Sequence, residues 1–356
     1  MMLRASSDSN QGADLSAVVQ KWALRSAALG LTWLVVACGS GPEDPYIKTE
    51  GRSTRAIVSV QRSISADPAV PVGDAQLAPI GPSEPAVGNA HAMAHFVSLP
   101  QYTEPDRVLD WVGLHQSWPA VDTCVNPNIG EERVAPKEID WKSLGNVELL
   151  EAGEVTIETA RTSARLAPRA FPTISQLVSG VTYTTRDQSA EPLPPALPYR
   201  VHVDGSSVLP SLDLSATAPE SLQSITVGGL PIDEASELHN GAPIDVTWLP
   251  ASQPASSDLV VIELRDAAGA NSVQCAFRDD AGVGTVPAER SKALSGRGQL
   301  LIHRVRRVRE PLSAQGIAPG VSQIDFDFDV TRTVSYQAAA EGPVAADPAG
   351  LINPTK

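Results

Sequence analysis

Two histidines four residues apart, in the run His91-Ala92-Met93-Ala94-His95, have the spacing that puts two imidazoles on one face of a helix, where they would chelate a divalent cation. The run lacks the glutamate that acts as general base in zinc proteases. Catalytic zinc also takes three protein ligands, and His115 is the nearest further imidazole in sequence. The plainer reading is a pair of exposed surface histidines. A second group, Asp325, Asp327 and Asp329, alternates with Phe326, Phe328 and Val330. In a strand the three carboxylates share one face, and such a ladder would collect Ca²⁺, a hard cation that takes oxygen ligands. No glycine-bearing calcium loop accompanies it, so the plainer reading is a solvated face balanced by a neighbouring strand. Arg304, Arg306, Arg307 and Arg309 would supply the cations. Asp279 and Asp280, just before Gly282, read as a turn. There is no nucleophile elbow, phosphate-binding loop or dinucleotide fingerprint. The sequence therefore nominates no catalytic residue and no cofactor.

Cys38 closes an apolar run, residues 27–37, which follows Lys21 and Arg25. The run is about half the roughly 20 apolar residues a spanning helix needs, and has the charge order and length of a secretory signal. Val35-Val36-Ala37-Cys38 resembles the lipobox of bacterial lipoproteins. The resemblance implies cleavage before Cys38, diacylglycerol on its thiol and a mature chain anchored at the cell envelope. Gly39 stands where an aspartate would retain such a protein at the inner membrane, which favours the outer membrane or cell surface. The polar stretch ahead of Lys21 is long for a signal of this kind, and a start at Val18 or Val19 would leave residues 1–17 untranslated. With Cys38 carrying lipid, Cys124 and Cys275 remain, and two thiols in an oxidising compartment suggest one disulfide.

The net charge is −14, which repels phosphate backbones and argues against nucleic acid as a partner. It also gives no polybasic help at anionic lipid, so membrane attachment falls to the acyl chains on Cys38.

Residues 38–90 read as a tether, with Pro42, Pro45, Pro68, Pro71, Pro79, Pro82 and Pro85 among small and polar residues. Within it, residues 56–60 have the pattern of a short strand docking on the body. Beyond it the alternation is mostly of period two. Val147, Leu149, Val155 and Ile157 suggest a hairpin, and Tyr199, Val201 and Val203 a strand ended by Asp204-Gly205. The second half repeats this grammar through residues 224–227, 244–248, 259–264, 272–277, 299–305 and 324–330. Short strands at about 10-residue spacing predict a mainly β fold. The organisation expected is a mostly-β region over 91–198, a β-sandwich over 199–336 and a loose tail over 337–356. Trp248 and Cys275 resemble the buried tryptophan and second cysteine of immunoglobulin-like domains, but no cysteine stands where the first would, so the resemblance is one of architecture. The one helix expected lies within residues 104–114.

This pattern suggests a lipid-anchored envelope protein with a non-catalytic binding or structural role, its partner an envelope protein or glycan. Exposed tryptophans among Trp111, Trp118, Trp141 and Trp248 would stack on sugar rings, although core packing is their commoner use. The competing expectation is an envelope hydrolase or metal-dependent enzyme with its site between the two regions.

Overall fold

The structure, a computed structural model, describes residues 51–67, 88–100, 105–127, 147–171, 178–185, 188–189, 193–312 and 319–338. The signal segment with Cys38, most of the proline-rich stretch, Trp141 and the tail beyond 338 lie outside them. Among the described residues no helix is long and apolar enough to cross a membrane.

The fold is mainly β. Two long strands come first, β1 (Arg52–Ser65) and β2 (Gly88–Pro100), then helix α1 (Pro105–Trp111) and the short β3 (Thr123–Val125). There follow β4 (Val147–Leu149), β5 (Val155–Glu158), β6 (Ser163–Ala170), β7 (Val178–Thr184), β8 (Gln188–Ser189), β9 (Pro198–Val203) and β10 (Leu212–Thr217). Four short strands, β11 (Thr226–Val227), β12 (Leu230–Pro231), β13 (Glu237–Asn240) and β14 (Ile244–Thr247), precede the hairpin of β15 (Leu259–Asp266) and β16 (Ser272–Arg278). After β17 (Val283–Val286) and the single-turn α2 (Ala288–Ser291) come the two longest strands, β18 (Gly296–Leu312) and β19 (Gly320–Ala338).

One large mixed sheet runs β10-β9-β5-β6-β7-β4-β2-β1-β19-β18-β15-β16, and a smaller one runs β12-β11-β14-β17. Alternation explains the layering. The even-numbered side chains of β18 and β19 turn to the apolar interior. At one end Phe326 and Phe328 join Ala56, Val58 and Val60 of β1 against Val155, Ile157, Val201 and Val203, where the large sheet folds over itself. At the other end Leu300, Ile302, Val334 and Tyr336 meet Val227, Val246, Trp248 and Val286 of the small sheet. The result is sandwich-like.

Two sequence expectations need correction here. Residues 52–65, expected in the tether, form a central strand, paired in parallel with β19 and antiparallel with β2. Its small and β-branched residues at alternate positions, buried on both flanks, outweigh the surrounding proline. The division at 198/199 also falls within the large sheet, because β9 pairs with β5 and β1 pairs with β19. Gly320 marks how closely the last two meet: a Cβ there would lie 1.7 Å from the Thr54 carbonyl oxygen. The helix expected within 104–114 forms as α1, and the Cys124–Cys275 disulfide is present.

Candidate functional site

The odd-numbered side chains of β18 and β19 face away from the core and gather the polar groups. Register does the positioning: His303 stands opposite Asp329, Asp329 opposite Ser63, and Ser63 opposite Asn89. One rung along, Asp327 stands opposite Gln61, and Gln61 opposite His91. On the other flank Glu263 of β15 pairs in register with Gln274 of β16. These strands line a cavity of about 430 Å³ whose walls include Gln61, His91, Gln116, Glu263, His303 and Asp327.

His303 is the centre of this group and is 5% exposed. Its Nδ1 lies 2.8 Å from Asp327 Oδ1. Its Nε2 lies 3.7 Å from Glu263 Oε2, within ion-pair range but too long for a hydrogen bond, and has no hydrogen-bond partner. Glu263 in turn accepts from Gln274 Nε2 at 3.2 Å and has Arg265 Nε at 3.5 Å. Asp329 Oδ2 accepts from Ser63 Oγ at 2.7 Å and from Thr331 Oγ1 at 2.9 Å. The Trp118 ring covers the imidazole, with centroids 5.2 Å apart.

Burial alone would lower the His303 pKa, but Asp327, with Glu263 and Asp329 behind it, raises it to about 10. Burial also pushes Glu263 up, yet His303 and Arg265 together hold it below its ordinary value. Asp329 is raised, chiefly by burial. The neutral-pH arrangement is an imidazolium enclosed by carboxylates.

The cover over this face is held at the sheet edge. Gln116 lines the cavity and its carbonyl accepts from Arg307 Nη2. Val121 bridges Ala276 of β16, and Cys124 is bonded to Cys275 of the same strand. The disulfide therefore fixes the far end of the segment that lays Trp118 on His303.

The structure divides the residues the sequence nominated. Asp327 and Asp329 come together with His303. Asp325 does not: it pairs with Arg307 at 2.7 Å, as a face balanced by a neighbouring strand requires. Arg309 reaches Gln323 and Asp106, while Arg304 and Arg306 point to the opposite face and bind Asp279 and Asp258. His91 and His95 lie on strand β2, not on a helix. The alanines between them permit either state, and pairing with β1 decides it. His91 reaches the cavity wall, with its Nδ1 buried and unbonded, whereas His95 is buried beside Thr182 at 2.9 Å. His115 pairs with Asp110 instead of joining either one. Trp248 is a core residue, its Nε1 donating to the Asp279 carbonyl. His303 and Glu263 were not nominated, because both sit in runs that read as apolar strands. An ionisable side chain inside such a run was the available signal.

Burial lowers the His95 pKa to about 4. Below about 6.5 the unfolded chain takes up a proton that the native chain refuses, so stability falls as pH drops from about 6.5 toward 4. His95→Gln keeps a partner for Thr182 and should remove roughly 2–3 kcal/mol of the stability difference between pH 7 and pH 4.5. Urea unfolding at the two pH values measures it, and an equal difference in both proteins would refute the assignment.

Compared with known proteins, the chain matches no family model, and no curated relative matches its sequence.

Proposed function

We propose that the chain is a lipid-anchored envelope protein with a non-catalytic binding role, exercised through the polar cavity on the large sheet. The observation that carries this reading is the Cys124–Cys275 disulfide, a bond that persists in oxidising compartments outside the cytoplasm. The charged and apolar order of residues 21–38 supplies the route there and the anchor on Cys38. β1 begins at Arg52, so the segment between the proposed anchor and the sheet ends well before residue 90.

Binding is favoured over covalent hydrolysis by the bonding at the cavity. The Ser63 hydroxyl donates to Asp329 rather than to an imidazole, and both nitrogens of His303 face carboxylates. A nucleophile activated by an adjacent base is not assembled there. The partner would be an envelope protein or glycan that presents a polar group to the cavity. Metabolic labelling with a palmitate analogue tests the anchor: wild type should carry label and sediment with membranes, and Cys38→Ala should lose both properties. Unlabelled wild type, or a membrane-bound variant, would count against it.

The cavity also favours a second reading, a metal-dependent hydrolase, because Gln61, His91 and Gln116 from the first half of the chain line it with Glu263, His303 and Asp327 from the second. Turnover of ester, phosphoester or glycoside probes, lost in His303→Gln, would support that reading over simple binding.

A further inference from the structure

Three carboxyl side chains crowd one buried imidazole at His303. Asp327 and Glu263 have side chains only 14% and 11% exposed, and Asp329 is half-buried beside them. Beside them stand His303 itself and Arg265, whose buried Nε lies 3.5 Å from Glu263. Uncompensated carboxylates out of water are costly. A cation in the group would give them a partner.

Geometry says where it would sit. One ligand atom from each of His303, Asp327 and Asp329 falls within 4.8 Å of the others. The 2.8 Å between His303 Nδ1 and Asp327 Oδ1 holds a proton in the unbound protein. It is also close to the roughly 2.9 Å between adjacent ligands of an octahedral ion with bonds of about 2.0–2.1 Å, and about 0.5 Å short of the tetrahedral spacing that zinc commonly takes. Ser63 and Thr331 both use Oδ2 of Asp329, which orients the carboxylate and leaves Oδ1 available.

A second observation concerns the far side of the imidazole. His303 is 95% buried by its 5% exposure, lines the cavity, and has an Nε2 with no hydrogen-bond partner. A buried orphan nitrogen is unusual in a finished ion-pair network. The nearest acceptor is Glu263, 3.7 Å away and held by Gln274. A carboxylate placed behind the ring nitrogen opposite the metal is the usual support of a ligating histidine.

We infer that His303 Nδ1, Asp327 and Asp329 form a three-ligand site for a divalent transition metal ion, Zn²⁺ or Mn²⁺, with Glu263 orienting the imidazole and the cavity providing the open position. The imidazole selects against Ca²⁺ and Mg²⁺, which prefer oxygen alone, and the carboxylates suit Mn²⁺ and Zn²⁺. On binding, the Nδ1 proton leaves to solvent and the ion takes its place, while Nε2–H turns to Glu263. The inference rests on the cavity being the binding site of the protein, and names what it holds.

The test uses the full chain with its disulfide intact, freed of metal by chelator and titrated at pH 7 with ZnCl₂, MnCl₂ and CaCl₂. One site per chain is expected for Zn²⁺ or Mn²⁺ with a Kd of about 10 μM or tighter, and binding of Ca²⁺ about a hundredfold weaker. Saturation should raise the melting temperature by about 5 °C or more. X-ray absorption on the wild-type zinc complex should show one imidazole among oxygen ligands, a readout that needs no variant to fold. Asp329→Asn keeps the shape that Ser63 and Thr331 hold, and should weaken binding about a hundredfold, as should His303→Gln. No Zn²⁺ or Mn²⁺ binding below about 1 mM, equal affinity for Ca²⁺, a shell without imidazole, or unchanged affinity in both folded variants would overturn the site. Acylation of Cys38 measured on the same preparations separates the two claims: a labelled chain that takes no ion loses this site and keeps its envelope role.

Discussion

Arg304→Ala is expected to destabilise the protein by about 3–5 kcal/mol, the cost of leaving one member of a buried ion pair alone. Arg304 and Asp279 have side chains only 1% exposed and meet at 2.8 Å. The guanidinium also donates to the carbonyls of Glu220, Ser221 and Leu249. These belong to loops next to the small sheet, so one side chain on β18 ties that layer to the large one. Removing it strands a carboxylate and three carbonyls at once. Arg304→Lys keeps the charge but not the planar fork, and should recover only part of the loss. Urea unfolding followed by circular dichroism measures both. A loss under about 1 kcal/mol for the alanine variant would mean that water reaches the site and that the layers are held by apolar contact alone.

The second large effect is expected from the disulfide. Cys124 and Cys275 are 151 positions apart, and on chain-entropy grounds a bridge closing so long a loop contributes up to about 5 kcal/mol, with about 2–5 usual on removal. The paired change Cys124→Ala with Cys275→Ala avoids a lone buried thiol and should lower stability by that amount. It should also free the segment that carries Gln116 and Trp118 over His303. Hydrogen exchange ought then to quicken in residues 116–125 more than in β18 or β19, and Trp118 emission should shift to the red. Uniform quickening across the sheet would show that the bridge stabilises globally without fastening the cover.

Local alternation was the legible part of this fold. Phe326 and Phe328 against Asp325, Asp327 and Asp329 announce both faces of β19, and burial follows that assignment. The disulfide was legible by counting. What could not be read was which strand lies beside which. Sharing a face, the Asp ladder reads as a calcium ladder or, more plainly, as a solvated face balanced by arginines, yet pairing hands Asp325 to Arg307 and the other two to His303. That outcome depends on the register between β18 and β19, which no local window contains. His91 and His95 failed in the same way. Their spacing fits a helix turn and a strand face equally, and only the neighbouring β1 selects the strand. The tether expectation contained the strand pattern of residues 56–60 but took it for a short docking piece, whereas β1 runs for 14 residues and is central in the sheet.

The parallel ladder from Thr54 with Gly320 to Ser65 with Thr331 governs the order in which the chain can assemble. β1 precedes β19, one of its two neighbours, by the whole of the intervening chain, with contacts such as Ser63 to Asp329 spanning 266 positions. A growing chain can form the β15–β16 hairpin as soon as it appears, but it cannot close the middle of the large sheet until β19 exists. Non-local pairing of this kind is slow. For the export proposed above, such a delay would keep a newly made chain loose enough to be threaded through a membrane, with final closure following where the disulfide can form.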